Sequence, residues 1–69
     1  MKYKANKKYI IDYCRVNNYE VASFLRQCNM SKNLIGKIMR EESVSMATIC
    51  KIVSKIGNVG FKDVAHFIE

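Results

Sequence analysis

The chain has 69 residues, which is enough for one domain with a single small core. Twelve lysine and arginine residues against six acidic residues give a net charge of +6, and this excess suits nucleic acid or another anionic partner. With no proline and only three glycines, the chain lacks the turn residues that an all-β fold requires, so helices are favoured.

Apolar residues at the i, i+3, i+4 spacing of an amphipathic helix recur in five segments of the chain. The predicted helices span about residues 6–16, 20–28, 31–40, 46–56 and 60–69. Asn17-Asn18 and Gly57 are expected to end the first and the fourth, because asparagine and glycine tolerate the left-handed conformation found past helix ends. The predicted fold class is therefore all-α: a compact bundle of five short helices in one domain, residues 1–69, with a basic N-terminal arm at residues 1–5.

Three residues, Asn29, Met30 and Ser31, join the second predicted helix to the third. Asn29 can take the left-handed conformation that reverses the chain, Met30 is expected to point into the core, and Ser31 is a good N-cap. Such a turn between two helices predicts a helix-turn-helix at about residues 20–40, although an ordinary corner between two helices fits the same residues.

The third predicted helix has two opposite faces. At about 100° per residue, its apolar side chains fall on one side and the remaining residues fall on the other. We call this second side the polar face; it consists of Lys32, Asn33, Gly36, Lys37 and Arg40. Because exposed helices usually mix charges of both signs, three cations without an acid favour an external anion such as DNA phosphate. Lysine and arginine can also donate to guanine, and asparagine can pair with adenine.

Gly36 lies near the middle of the polar face, although glycine inside a helix costs about 1 kcal/mol relative to alanine. Two interpretations fit this position. Glycine would allow the helix backbone to approach a groove closely, or it is simply a glycine tolerated on the surface.

Residues 18–57 resemble the Cro/CI-type helix-turn-helix family, also called XRE-like. The resemblance is carried by the segments NYEVASFLRQCNMSKNLIGKIM and SMATICKIVSKIG. It implies a five-helix, lambda-repressor-like DNA-binding domain that acts as a dimer on a two-fold site in double-stranded DNA. The base-reading positions that it implies are Ser31, Lys32, Asn33, Gly36, Lys37 and Arg40.

Four further residues are predicted to contact DNA phosphate. Lys4, Lys7 and Lys8 belong to a basic N-terminal run without an acid, which would follow the backbone if it were a flexible arm. A solvated terminal segment explains the same lysines. Tyr19 precedes the second helix, where its hydroxyl would donate to a phosphate.

The last predicted helix carries more apolar surface than is needed to cover so small a core. We expect part of it to form the seam of a homodimer, through Phe61, Val64, Phe67 and Ile68. Complete burial of these side chains within one chain is the alternative.

No pattern indicates catalysis, a cofactor, a metal or a small-molecule substrate. His66 has no cysteine, aspartate or serine at a spacing typical of a catalytic or metal site. The three cysteines are odd in number and form no CxxC pair, so buried free thiols are expected. The apolar stretch at residues 9–11 ends at Asp12, which is too short for a signal peptide or a membrane span. A cytoplasmic protein that is not an enzyme is therefore expected.

The sequence predicts a small transcriptional regulator of the repressor type from a phage, a mobile element or a bacterium, with the third helix in the major groove. A protein-interaction module that reuses the fold, such as an antirepressor or an inhibitor of a host nuclease, is the alternative. Two features favour it: Val21 stands where the family commonly has a phosphate-binding glutamine, and Glu41-Glu42 would repel a nearby phosphate.

Overall fold

The computed structural model describes residues 2–68, and it contains eight short elements within them. The strands are β1 Tyr3–Ala5, β2 Ser43–Val44 and β3 Ala65–Phe67, and the helices are α1 Lys7–Val16, α2 Val21–Gln27, α3 Lys32–Met39, α4 Met46–Ile56 and α5 Phe61–Val64. Met1, in the predicted arm, and Glu69, at the end of the predicted fifth helix, lie outside the described residues.

The prediction of an all-α fold was wrong, because the three strands form an antiparallel sheet and the protein belongs to the α+β class. The strand order is β2-β1-β3. Tyr3 in the central strand lies opposite Val44 on one side and Phe67 on the other, and Lys4 lies opposite His66. Strands of two or three residues are too short to show the alternating pattern from which a strand is predicted.

The two ends of the chain therefore differ from their predicted structure. The segment predicted as an arm forms the central strand β1, and the last helix is a single turn that passes into β3. Ala65 has the extended dihedral angles φ −148° and ψ 157°, which stop the helix. Beyond the paired residues, the Asn6 amide donates to the Val64 carbonyl at 2.6 Å and the Ile68 amide donates to the Lys2 carbonyl at 3.1 Å. Pairing with β1 thus outweighs the helical periodicity of residues 65–68.

The core lies between the helices and one face of the sheet. Its largest buried side chains come from all five helices: Ile10, Cys14, Phe24, Leu25, Ile38, Ile49, Ile52 and Val64. Ala5, Val44 and Ala65 add the buried face of the sheet. Some apolar residues depart from the predicted pattern: Val16 at the end of α1 is 83% exposed, Met46 at the start of α4 is 48% exposed, and Cys50 on α4 is exposed rather than buried.

Left-handed residues follow α1 and α4 where the sequence predicts them. Asn18 and Gly57 have φ values of 60° and 88°, just past α1 and α4. The side chains of Asn6 and Ser45 accept from backbone amides in the first turns of α1 and α4. Such N-caps each stabilise a helix by about 1 kcal/mol. Among residues 2–68, no helix has the length and apolar character needed to cross a membrane.

Candidate nucleic-acid interface

The turn between α2 and α3 has the conformation that its residues predict. Asn29 has a φ of 70°, Met30 is buried with 6% of its surface exposed, and Ser31 Oγ accepts from the Leu34 amide at 3.2 Å. Lys51 of α4 donates from Nζ to the Asn29 carbonyl at 3.2 Å. The start of α3 is therefore held by a cap, by a buried anchor and by a contact from a third helix.

The division of α3 into two faces is confirmed. Ile38 is buried, and Leu34, Ile35 and Met39 are half-buried against the core. On the opposite side, Lys32, Asn33, Lys37 and Arg40 are exposed and Gly36 is half-buried, while Ser31 at the N-cap is also exposed. All six residues predicted to read bases thus lie at the surface in or beside one helix.

A cleft of about 1030 Å³ runs along α2 and α3, and we call it the α2–α3 cleft. Its lining consists of the five residues of the polar face, together with Ile35 of α3 and with Ala22 and Arg26 of α2. Within the described part of the chain, the lining contains four cations and no acid. The positive charges therefore surround a concave surface rather than a flat one, which concentrates the electrostatic potential inside it.

Arg40 lies across Gly36, so a side chain at residue 36 would displace the end of the arginine. A Cβ atom at residue 36 would lie 3.0 Å from Nη1 of Arg40, closer than ordinary van der Waals contact. The same guanidinium donates from Nε to Oε2 of Glu42 at 2.6 Å. This hydrogen bond, with a smaller contribution from the charges of Arg40 and Lys37, holds the pKa of the Glu42 carboxyl below its ordinary value. Glu42 therefore already binds one of the cations of the polar face.

The lysines predicted to contact phosphate do not line the α2–α3 cleft. Lys4 lies within the central strand, and Lys7 and Lys8 lie in the first turn of α1. Lys7 and Lys8 border a separate cleft of about 410 Å³, in which acidic residues also take part: Asp12 and Glu41. The structure thus replaces a flexible basic arm by a strand and a helix start, and the two lysines of the helix start have acidic neighbours.

Tyr19, the other predicted phosphate contact, lies in the segment that precedes α2. Its ring stacks on Phe24 with a centroid distance of 6.0 Å and an interplanar angle of 10°. About half of the residue is exposed, at 49%. The ring is anchored on the core while part of the side chain remains accessible to solvent.

The four residues predicted to form a dimer seam are divided between core and surface. Val64 is fully buried within the protomer and offers no surface to a second copy, and Phe61 is half-buried. Phe67 and Ile68 are exposed by 61% and 43%, on β3 and just after it. Tyr3 packs against Phe67 at a centroid distance of 5.5 Å, so the exposed phenylalanine continues an aromatic contact within the sheet.

Both residues of α2 that line the α2–α3 cleft, Ala22 and Arg26, were not predicted from the sequence. They are four residues apart and so lie on one side of α2, next to each other along the helix. One signal could have identified these two residues. On α2, the helix before the polar face, a small residue is followed one turn later by a cation. Among residues 2–68, no group of three or more histidine, cysteine, aspartate or glutamate side chains has the arrangement of a metal site.

Comparison of the chain with protein-family models, with curated proteins and with solved structures gave no match. The resemblance to the Cro/CI-type family therefore depends on the sequence segments that carry it.

Proposed function

We propose that this protein is a sequence-specific DNA-binding regulator that places α3 in the major groove of double-stranded DNA. The observation that carries the proposal is the α2–α3 cleft, which gathers four cations and, among residues 2–68, no acid around the exposed face of a helix. An α-helix fits the major groove, and the polar face of α3 offers the donors that recognise base edges there. Lys32 and Asn33, in the first turn, would read bases, and Lys37 and Arg40 would read bases or contact the backbone.

The rigid setting of α3 supports this proposal. Its first turn is capped by Ser31, and its apolar side packs on the core through Ile38. A helix fixed in this way presents its polar side chains at defined positions, which lowers the entropy lost on binding. Regulation would follow from occupation of a promoter in the cytoplasm, and a homodimer would place two α3 helices about 34 Å apart on a two-fold site.

Selection from random-sequence duplexes at two salt concentrations tests the proposal. A sequence-specific regulator enriches a defined site, and its affinity falls steeply as salt increases because phosphate contacts release counterions. Absence of any enriched sequence, with weak binding that disappears at about 0.2 M salt, would refute it.

A second candidate function is a protein-interaction module, such as an antirepressor or an inhibitor of a host nuclease. The ion pair between Arg40 and Glu42 favours it, because an acid already occupies part of the polar face. Val21 favours it as well, since this residue at the start of α2 has no polar side chain for a phosphate. Under this reading, the cationic cleft would bind an acidic protein surface instead of DNA.

A further inference from the structure

We propose that Arg26 of α2 contacts the DNA backbone and holds a phosphate at the side of the α2–α3 cleft. The inference rests on the proposed function and extends it, because every residue predicted to read bases belongs to α3 or to its cap.

Arg26 is exposed and has no strong partner within the described part of the chain. Among residues 2–68, no carboxylate oxygen lies within 4.0 Å of its guanidinium. Its hydrogen bond from Nη2 to Ser23 Oγ is long, at 3.4 Å. Arg40 differs, since Glu42 accepts from its Nε at 2.6 Å. Of the two arginines that line the cleft, Arg26 is thus the one available to an external anion without first breaking an ion pair.

The contact with Ser23 directs Arg26 without neutralising it. Ser23 Oγ donates to Glu20 Oε1 at 2.9 Å and accepts from Arg26, so the serine hydroxyl lies between the acid and the guanidinium. Of the nitrogens of Arg26, only Nη2 takes part in this contact. Nε and Nη1 remain to donate to the oxygens of a phosphate, the geometry for which a planar guanidinium is suited.

The shape of the cleft gives a phosphate access to Arg26. Ala22, one turn before Arg26, and Gly36 on the facing helix are the two smallest residues of the lining. A groove with small residues between cationic side chains can receive the narrow ridge of a nucleic-acid backbone, whereas a large side chain at either position would fill it. The cations thereby stand on both helices, with Arg26 on α2 and Lys32 and Lys37 on α3.

The start of α2 offers a phosphate no positive charge or polar cap of its own. Val21 is apolar, and Glu20 forms no side-chain cap with the backbone and carries a negative charge. A phosphate that approaches α2 therefore finds no favourable side chain at the first residue of the helix. One turn and a half further along, Arg26 supplies the missing positive charge.

The test compares Arg26→Gln with Arg15→Gln, which removes the same charge from a different surface. Arg15 is an exposed residue of α1 that forms an ion pair with Asp12 at 3.7 Å; it lines the cleft that Lys7 and Lys8 share with acidic residues, and not the α2–α3 cleft. Binding to a selected duplex and to an unselected duplex is measured over a series of salt concentrations. For Arg26→Gln, the slope of log K against log salt should fall by about 0.9, the amount expected for one phosphate. Affinity should fall by the same factor on both duplexes, since a phosphate carries no sequence information.

Arg15→Gln should leave the slope unchanged, and Arg26→Lys should retain most of it because lysine keeps the charge. Thermal unfolding of each variant confirms that the fold is intact. A slope for Arg26→Gln equal to that of the unaltered protein would overturn the inference while leaving the proposed function in place. A loss confined to the selected duplex would also overturn it, because Arg26 would then read a base. Failure of the unaltered protein to bind any duplex would refute the proposed function and this inference together.

Discussion

Replacement of Gly36 by alanine tests whether the glycine lowers the stability of α3. Inside an exposed helix this change stabilises the folded state by about 1 kcal/mol, because alanine loses less backbone entropy on folding. The new Cβ would meet Arg40 Nη1 at 3.0 Å and Cζ at 3.6 Å. These atoms form the end of a flexible, exposed side chain that can move aside, and exposed ion pairs contribute little to stability. We therefore expect the free energy of unfolding to rise by up to about 1 kcal/mol, and a gain of that size raises the Tm of so small a domain by about 4–8 °C.

Thermal and urea unfolding of four proteins measure this effect: the unaltered chain, Gly36→Ala, Arg40→Ala and the double variant. When Arg40 is absent, the alanine meets no guanidinium, so the gain should be at least as large as in the unaltered background. Gly57→Ala is a control in which the free energy of unfolding should fall rather than rise. Gly57 has a φ of 88° with open space around it, so a side chain there is strained without a clash and should destabilise the fold by about 1–3 kcal/mol.

If Gly36→Ala lowers the free energy of unfolding both in the unaltered chain and in Arg40→Ala, the expected gain from alanine is refuted. Displacement of Arg40 could not explain a loss that persists when Arg40 is absent. The DNA affinity of the same variant separates the two roles of the glycine. Weaker binding despite a more stable fold means that the backbone approaches the groove closely at Gly36. Unchanged binding means that the glycine is simply tolerated on the surface.

Three further changes test other parts of the interface. Lys37→Ala should weaken binding to a selected site by about 1–3 kcal/mol if Lys37 reads a base, whereas an equal loss on all sequences in a binding titration would assign it to phosphate. The hydrogen bond from Arg40 lowers the pKa of Glu42. The pair therefore stabilises the fold at pH values above the ordinary pKa of a glutamate, and this contribution is lost as the pH falls through the lowered pKa. Arg40→Ala should therefore raise the pKa of Glu42 in an NMR titration, and an unchanged value would contradict the contact. Phe67→Ser should shift a homodimer towards monomer in sedimentation velocity. Val16→Ser, which also alters an exposed apolar residue, should not, and equal sedimentation of the two variants would exclude Phe67 from the dimer seam.

Helix ends and helix faces could be predicted because they depend on neighbours in the sequence. Asn29 and Ser31 have the conformations expected of them, and the two sides of α3 follow from the 3.6-residue repeat. The sheet could not be predicted in this way. Each of its strands has two or three residues, and β1 pairs with residues near the other end of the chain. Residues 65–67 fit a helical pattern, yet they form a strand because the pairing with β1 is a tertiary interaction.

The candidate site divides in a similar way. The polar face lies on one helix, so its residues could be assigned from one periodic segment. Arg26 belongs to a different helix, and its place in the cleft depends on how α2 packs against α3. The positions of the N-terminal lysines also depend on tertiary structure, because strand formation fixes Lys4 in the sheet opposite Ser43 and His66.

The position of Glu41 and Glu42 changes how strongly these residues oppose DNA binding. In the sequence they form an acidic pair directly after the cationic helix, which would repel a phosphate. In the structure Glu41 has a φ of 58°, and it lines the cleft of Lys7 and Lys8 on the α1 side. Glu42 instead accepts from Arg40 at the end of the polar face. Each carboxylate therefore has a basic neighbour, and neither lines the α2–α3 cleft. The cost to DNA binding is then the release of Arg40 from one exposed ion pair, and Arg26, Lys32 and Lys37 remain free of such a pair among the described residues.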